Sequence, residues 1–388
     1  MNPGLKEPGD QLRYPRQRRS RDKILWKIND PVLTSSVEFC LNFGVAYDEA
    51  WPNLLLFILK RNVQRASAEN CIMKTSIISI WGLMILSCLS AAQQYEKVYL
   101  DQSDSTRFYF KVAPDFQAEG LLVLLPGSRG DAEWPLKTTK IPYLAADHGL
   151  VTIMINYEIW LCWLREDILD LLNESILDVL SEHNIPREKC VIGGFSGGGA
   201  IALNYTERAY KDSLQTSVIP KGVFSLDAPL DLTELFDVNN LEVDGFLCKG
   251  EQIKVTDETR IMLEKMTKYL GTPEYDLDNF YEHSVFIFND RYHNGGNAIY
   301  LKDVPVRIYS GICANYMQGK SECGFYLDTS PFLVSFLKHH GNEFATFKSQ
   351  YDEDYNPDGG EQFRGRHAWL GFDSDECVGW ILQILKDR

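Results

Sequence analysis

The chain has 388 residues, 45% hydrophobic and 24% charged, with a formal net charge of −15. That is enough apolar material for one large globular domain or two small ones. The acidic balance argues against a nucleic-acid partner, whose phosphates need a basic face.

The N-terminal region reads in two pieces. Met73-Lys74-Thr75-Ser76 opens an uncharged run from Ile77 to Leu89, followed by the small residues Ser90-Ala91-Ala92. One positive charge, a short apolar stretch and small residues before a cleavage point predict a secretory signal peptide over 73–92. The run is shorter than the roughly 20 residues a bilayer requires, so the mature form is expected to have no membrane span. Residues 1–72 carry Arg16, Arg18, Arg19 and Arg21 and a separate apolar piece, Leu54 to Leu59, with no sustained period. They read as an upstream extension, with translation starting at Met73, or as a disordered arm. Export to the periplasm or the extracellular space is expected. Ile85-Leu86-Ser87-Cys88 resembles a lipobox, but Leu86 is larger than that motif favours, so a lipid anchor at Cys88 ranks below simple secretion. After residue 92 the chain carries 27 Lys and Arg against 46 Asp and Glu, a net of −19. Six cysteines follow the leader, none in a CxxC pair, so neither a zinc ribbon nor a thioredoxin site is expected. Cys190 opens an apolar run and should pack as a small hydrophobe.

The elements then follow in order. Residues 107–112 alternate, as a half-buried edge strand does. Leu121 to Leu125 is apolar throughout, as a strand covered on both faces must be. A helix is predicted around Pro142 to His148, ended by Gly149, and a buried strand over Val151 to Ile155. Glu166 to His183 places Ile168, Leu171, Leu172, Ile176, Val179 and Leu180 on one helical face. Cys190-Val191-Ile192 runs into Gly193 to Gly199, and a helix follows over Ala200 to Tyr210. Val223 to Leu226 is the next strand. Residues 232–303 break the alternation with one clear helix, Asp257 to Leu270, and read as an inserted cap. Val304 to Tyr309 is a strand; Phe332 to His340 and Glu376 to Leu385 are helices. Such alternation predicts an α/β fold with a mostly parallel, doubly wound sheet over 93–388. Functional groups in such sheets gather at the carboxyl ends of the strands.

Gly194-Phe195-Ser196-Gly197-Gly198 matches G-x-S-x-G between a buried strand and a small-residue helix. A serine on that turn projects its hydroxyl above the sheet as a nucleophile, and the Gly197 N–H at the helix start faces a developing oxyanion. A dinucleotide-binding loop would follow the first strand and need an acidic residue about 20 positions on; here several strands precede it. A general base must reach Ser196 from a loop above the strand ends. Of the seven histidines, His367 fits best, behind Asp358-Gly359-Gly360 and Gly365 and last in chain order. His339-His340 reads as a helix C-terminus, which favours cations. His283 and His293 flank Asp290 without a compact ligand spacing, so no metal is expected.

Three segments resemble the α/β-hydrolase superfamily of serine hydrolases: Leu121 to Gly127 with Ser128-Arg129-Gly130, the Gly194–Gly198 turn, and Gly365-Arg366-His367-Ala368-Trp369 before the terminal helix. Val304 to Tyr309 is similar to the penultimate strand of exported bacterial members. The resemblance implies an α/β-hydrolase sheet with a cap, an oxyanion hole from Gly197 and Ser128, and esterase-like or peptidase-like activity without a cofactor. The acid departs from the family pattern. The strand that ordinarily precedes it continues Ser310-Gly311-Ile312-Cys313-Ala314, with no carboxylate. Asp227, 31 residues after Ser196 at the end of a strand, is chosen; Asp328, which reads equally as a helix N-cap, is the other candidate. The expected reaction is ester hydrolysis through an acyl-enzyme on a small-molecule or acyl substrate. The alternatives are a serine peptidase and a non-catalytic exported binding protein on the same fold. Trp160, Trp163, Phe280, Tyr281 and Phe286 line a pocket or, on the simpler reading, pack in the core.

Overall fold

A computed structural model describes residues 95–128, 131–157, 162–243, 257–288, 295–310, 329–349 and 372–386. An eight-stranded sheet runs through these residues: β1 (Tyr95–Tyr99), β2 (Phe108–Val112), β3 (Gly120–Leu125), β4 (Leu150–Ile155), β5 (Cys190–Phe195), β6 (Gly222–Leu226), β7 (Val306–Ser310) and β8 (Thr346–Ser349). Their order across the sheet is β1-β2-β4-β3-β5-β6-β7-β8. β1 and β2 pair antiparallel, β2 joins β4 antiparallel, and every pair from β4 to β8 is parallel.

The helices are α1 (Trp134–Thr138), α2 (Ile141–Asp147), α3 (Glu166–His183), α4 (Gly197–Lys211), α5 (Leu232–Val243), α6 (Asp257–Leu270), α7 (Leu277–His283), α8 (Ser330–His339) and α9 (Ser374–Lys386), with a 3₁₀ turn at Gly296–Leu301. The two-residue period of the strands divides the core. Leu121, Val123 and Leu125 of β3 face α3 and α4, whereas Leu122 and Leu124 face α2 and α9. Both faces are therefore covered, which is why the central strands carry unbroken apolar runs. α3 has the bounds its periodicity predicts. It opens on Glu166 and Asp167 and ends at Asn184 in the left-handed region (φ 53°), which suits the helix dipole and the αL cap.

Several expectations change. β2 is not an edge strand, because β1 pairs along its whole length. Its polar position, Lys111, is buried, with Nζ 2.6 Å from Glu182 and 3.0 Å from Glu96. An ion pair, not solvent, satisfies the residue that made the segment look half-exposed. α4 begins at Gly197, ahead of its apolar pattern, since the turn at Ser196 itself starts the helix. α8 begins at Ser330 with Thr329 at its N-cap and Pro331 in its first turn, so the cap falls on the residue after Asp328. Among its described residues the 232–303 insertion holds three helices and a 3₁₀ turn. Its Met266, Leu270, Phe280 and Phe286 join the core on the α3–α4 face. Trp163 is buried in the same cluster; Trp160 lies outside the described residues. Among the described residues no helix is long and apolar enough to cross a membrane.

Candidate active site

β3, β5 and β6 bring their carboxyl ends together at one point. Phe195, the last residue of β5, is in register with Leu226, the last of β6. The Ser196 N–H donates to the Leu226 carbonyl at 2.8 Å, and the Asp227 N–H donates to the Tyr309 carbonyl at 2.9 Å. Ser196 and Asp227 therefore follow adjacent strands at the same level of the sheet.

Both residues have unusual backbones. Among the described residues three non-glycines have positive φ: Asn184, Ser196 and Asp227. Asn184 is the helix cap noted above, and aspartate enters the left-handed region readily through local hydrogen bonding. Ser196 is different: φ 53° with ψ −128° lies outside that region, at a cost of order 1–3 kcal/mol. The surroundings enforce it. A Cβ on Gly198 would lie 1.9 Å from the Pro126 carbonyl oxygen, and one on Gly194 would lie 2.6 Å from the Gly198 backbone. These approaches require glycine at both positions and hold the turn tight. The Ser196 carbonyl accepts from the N–H groups of Gly199 (2.9 Å) and Ala200 (3.2 Å), which begins α4. Ser196 is 8% exposed.

The facing wall is the loop after β3. A Cβ at Gly127 would stand 3.6 Å from the Ser196 Cβ, so the Pro126–Ser128 segment adjoins the serine. Tyr157, buried after β4, fixes that segment. Its hydroxyl hydrogen-bonds to the Pro126 carbonyl and lies 3.1 Å from the Gly127 carbonyl. Burial pushes the Tyr157 phenol well above its ordinary range, so it stays a donor. Gly197 opens α4, where the first N–H groups have no carbonyl a full turn behind them in the helix. Ser128 is half-buried in the loop after β3. The result is a buried serine at the head of a helix, with the Pro126–Ser128 loop adjoining it.

His367 and Asp328 lie outside the described residues, as do Cys313, Asp290, His293 and the 73–92 leader with Cys88. His283 ends α7, with its Nδ1 2.9 Å from the Asn279 carbonyl. His339 falls in the last turn of α8. Sequence reasoning missed Asp231, a buried carboxylate four residues past Asp227. Its Oδ1 accepts from the N–H groups of Thr233 (3.0 Å) and Glu234 (3.3 Å), and its Oδ2 from Phe288 N–H (3.3 Å). Asp231 caps α5 and ties it to the 284–288 segment. The Asp-x-Thr-Glu spacing at 231–234 was the legible signal for that cap. Tyr157 had no sequence signal, since nothing local marks a hydroxyl that bonds a loop 30 residues away.

No family model matches the chain, and none of the curated proteins matches it in sequence. Solved structures resemble it at low identity. An S-formylglutathione hydrolase from Agrobacterium tumefaciens is 12% identical, covering 75% of this chain and 94% of its own, with a TM-score of 0.46. One of two fungal esterases from Rhizomucor miehei is 15% identical, covering 76% and 82%, with a TM-score of 0.47. An esterase B from Lactobacillus rhamnosis is 14% identical, covering 81% and 95%, with a TM-score of 0.46. The strand order, the antiparallel start of the sheet, the covering of both faces and the strained serine turn between β5 and α4 are features of the chain itself, and they give it the α/β-hydrolase fold.

Proposed function

We propose that this protein is an exported serine hydrolase that cleaves a carboxylic ester through an acyl-enzyme on Ser196. One observation carries the reading: Ser196 is held in a strained backbone at the carboxyl end of β5, at the head of α4. Strain of this kind persists only where the surrounding structure enforces it, and it concentrates at reactive positions.

In the proposed reaction His367 takes the Ser196 hydroxyl proton as Oγ attacks the ester carbonyl carbon. The carbonyl oxygen becomes an oxyanion, held by the N–H groups of Gly197 and Ser128. A donor of this kind is worth about 10²–10³ in rate. The tetrahedral intermediate collapses, the ester C–O bond breaks, and His367 returns the proton to the departing alcohol. Water, deprotonated by the same histidine, then releases the acid and regenerates Ser196. Asp227 holds the imidazole in the tautomer that accepts from Ser196. Its position after β6, next to Ser196 across the β5–β6 register, supports Asp227 in this role. No metal or organic cofactor enters the scheme. The signal-peptide pattern over 73–92 supports export.

A fluorophosphonate probe tests the reading, because it forms a stable bond only with an activated serine. The chain should be labelled in a time-dependent way, and Ser196→Ala should abolish labelling without changing the melting temperature by more than a few degrees. Absence of labelling on the folded wild-type chain would overturn the proposal. If Asp227 is the acid, Asp227→Asn should slow labelling far more than Asp328→Asn; the reverse ranking would move the role to Asp328.

A further inference from the structure

Beyond the carboxyl end of β6 the chain meets the 284–288 segment of the insertion. Leu232 N–H donates to Ser284 Oγ at 3.0 Å, Phe286 N–H to the Leu230 carbonyl at 3.1 Å, and Phe288 N–H to Asp231 Oδ2 at 3.3 Å. The two segments therefore run antiparallel, and each step from Ser284 toward Phe288 moves back along the facing segment toward Asp227. Phe288 meets Phe332 there, with ring centroids 4.2 Å apart and 44° between the ring planes. Phe332 stands in the first turn of α8. α8 joins β7 to β8, which run parallel, so its first turn lies at the carboxyl ends of the strands. That is the end of the sheet at which Ser196 and Asp227 stand.

The pair is open but held in place. Phe288 is 37% exposed and Phe332 43%. Asp231 fixes the backbone of one and the helix that of the other. Phe286, which is buried, packs on Phe336 at 5.6 Å, so a second aromatic contact joins the same two segments. Apolar residues exposed singly need no explanation, but two stacked rings held open at the reactive end of a sheet suit the wall of a ligand site.

The proposed reaction says which part of a substrate would face them. The oxyanion is assigned to Gly197 and the loop after β3, and the departing alcohol takes its proton from the base that Asp227 orients. In the sheet β3 lies on one side of β5, and β6 and β7 lie on the other. The alcohol thus departs on the β6–β7 side, where Phe288 and Phe332 stand. Neither ring carries a donor or acceptor, so a polar alcohol would give up water there without return. A flat ring would gain stacked or edge-to-face contact. We infer that Phe288 and Phe332 bind the alcohol portion of the ester and select an aromatic alcohol of the benzyl type. The inference rests on the acyl-enzyme reading of Ser196.

Two isomeric esters test it: benzyl acetate, with its ring on the alcohol side, and methyl phenylacetate, with its ring on the acyl side. The wild-type chain should hydrolyse benzyl acetate with a kcat/KM about tenfold higher or more, the worth of one well-placed aromatic contact. Phe332→Ala should lower that value about threefold to tenfold through KM, because the contact serves substrate and transition state alike. Its kcat/KM for methyl phenylacetate and its rate of fluorophosphonate labelling should stay as in the wild type. Should Phe332→Ala fail to fold, Phe288→Ala removes the other ring and carries the same expectation. Equal rates on the two isomers would overturn the inference, as would a loss in the folded variant that falls on methyl phenylacetate instead. Both results leave the wild-type chain labelled at Ser196, whereas an unlabelled chain overturns the acyl-enzyme reading itself, so the two failures are told apart.

Discussion

Tyr157 shows how much one hydroxyl can govern at the residue scale. It is buried, it is the only polar atom of its side chain, and it hydrogen-bonds to the loop that faces Ser196. Tyr157→Phe keeps the ring and removes the donor, leaving the Pro126 carbonyl short of a buried partner. The expected loss is about 1–3 kcal/mol of stability, the cost of an unsatisfied buried acceptor. Chemical denaturation should show it as a lower midpoint at unchanged slope. If Ser196 acts as proposed, kcat on a reactive ester should also fall by at least tenfold with KM little changed, because the loop N–H groups serve the transition state more than the bound substrate. A fall in stability with kcat intact would confine Tyr157 to a structural role. Asp231 teaches the complementary lesson. It shares a short segment with Asp227, yet its oxygens are taken up by the start of α5 and by Phe288 N–H. Composition could not separate these two carboxylates; their hydrogen bonds do.

At the scale of elements, the junction of β5 with α4 depends on contact between backbones. Gly198→Ala would drive a methyl into the Pro126 carbonyl, 1.9 Å from the ideal Cβ position. Backbone cannot swing aside as a long side chain can. The variant should lose roughly 2–4 kcal/mol, in the range of overpacking and strain, seen as a large drop in melting temperature. Gly379 on α9, with nothing within 4 Å of its Cβ position, is the control: Gly379→Ala should hold or gain stability. Elements were legible in the sequence where one physical rule acted alone. β3, β4, β5 and β6 showed as apolar runs, and α3 as a helical stripe from Glu166 to His183. β1 and β8 were not legible. β1 is a largely exposed edge strand that reads as polar chain, and β8 is four residues long with its identity set by pairing to β7. β2 was legible as a strand but misplaced, because Lys111 satisfies its charge inside an ion pair. The Ser196 turn was legible from glycine spacing, whereas its strain appears only when the Pro126 loop is brought against it.

Across the whole molecule, the sheet separates two apolar layers, and the described cysteines lie inside them. Cys162 and Cys190 are in the layer with α3 and α4, and Cys377 is in the layer with α2 and α9. All three are free and buried, with burial pushing the first two thiols up to about 12 and the third upward as well. A thiol reagent needs both access and thiolate. Iodoacetamide at pH 8 should therefore leave these three unmodified in the native chain and alkylate all of them in denaturant, as peptide mapping would show. Native modification of any one would mean that its layer opens at low cost. The order of strands has a further consequence, in the time the chain takes to acquire its shape. β3 lies beside β5 with β4 on its other side, and Val223 of β6 pairs with Val306 of β7. Apart from β1 with β2, every pairing joins residues about thirty or more positions apart, so long loops must close before the sheet gains anything in return. The turn at Ser196 leans on Leu226 from β6 and on Pro126 from the end of β3. It can tighten only after both have arrived, which makes the strained serine one of the last features to form on refolding, behind a sheet whose unpaired edges are exposed while the chain waits.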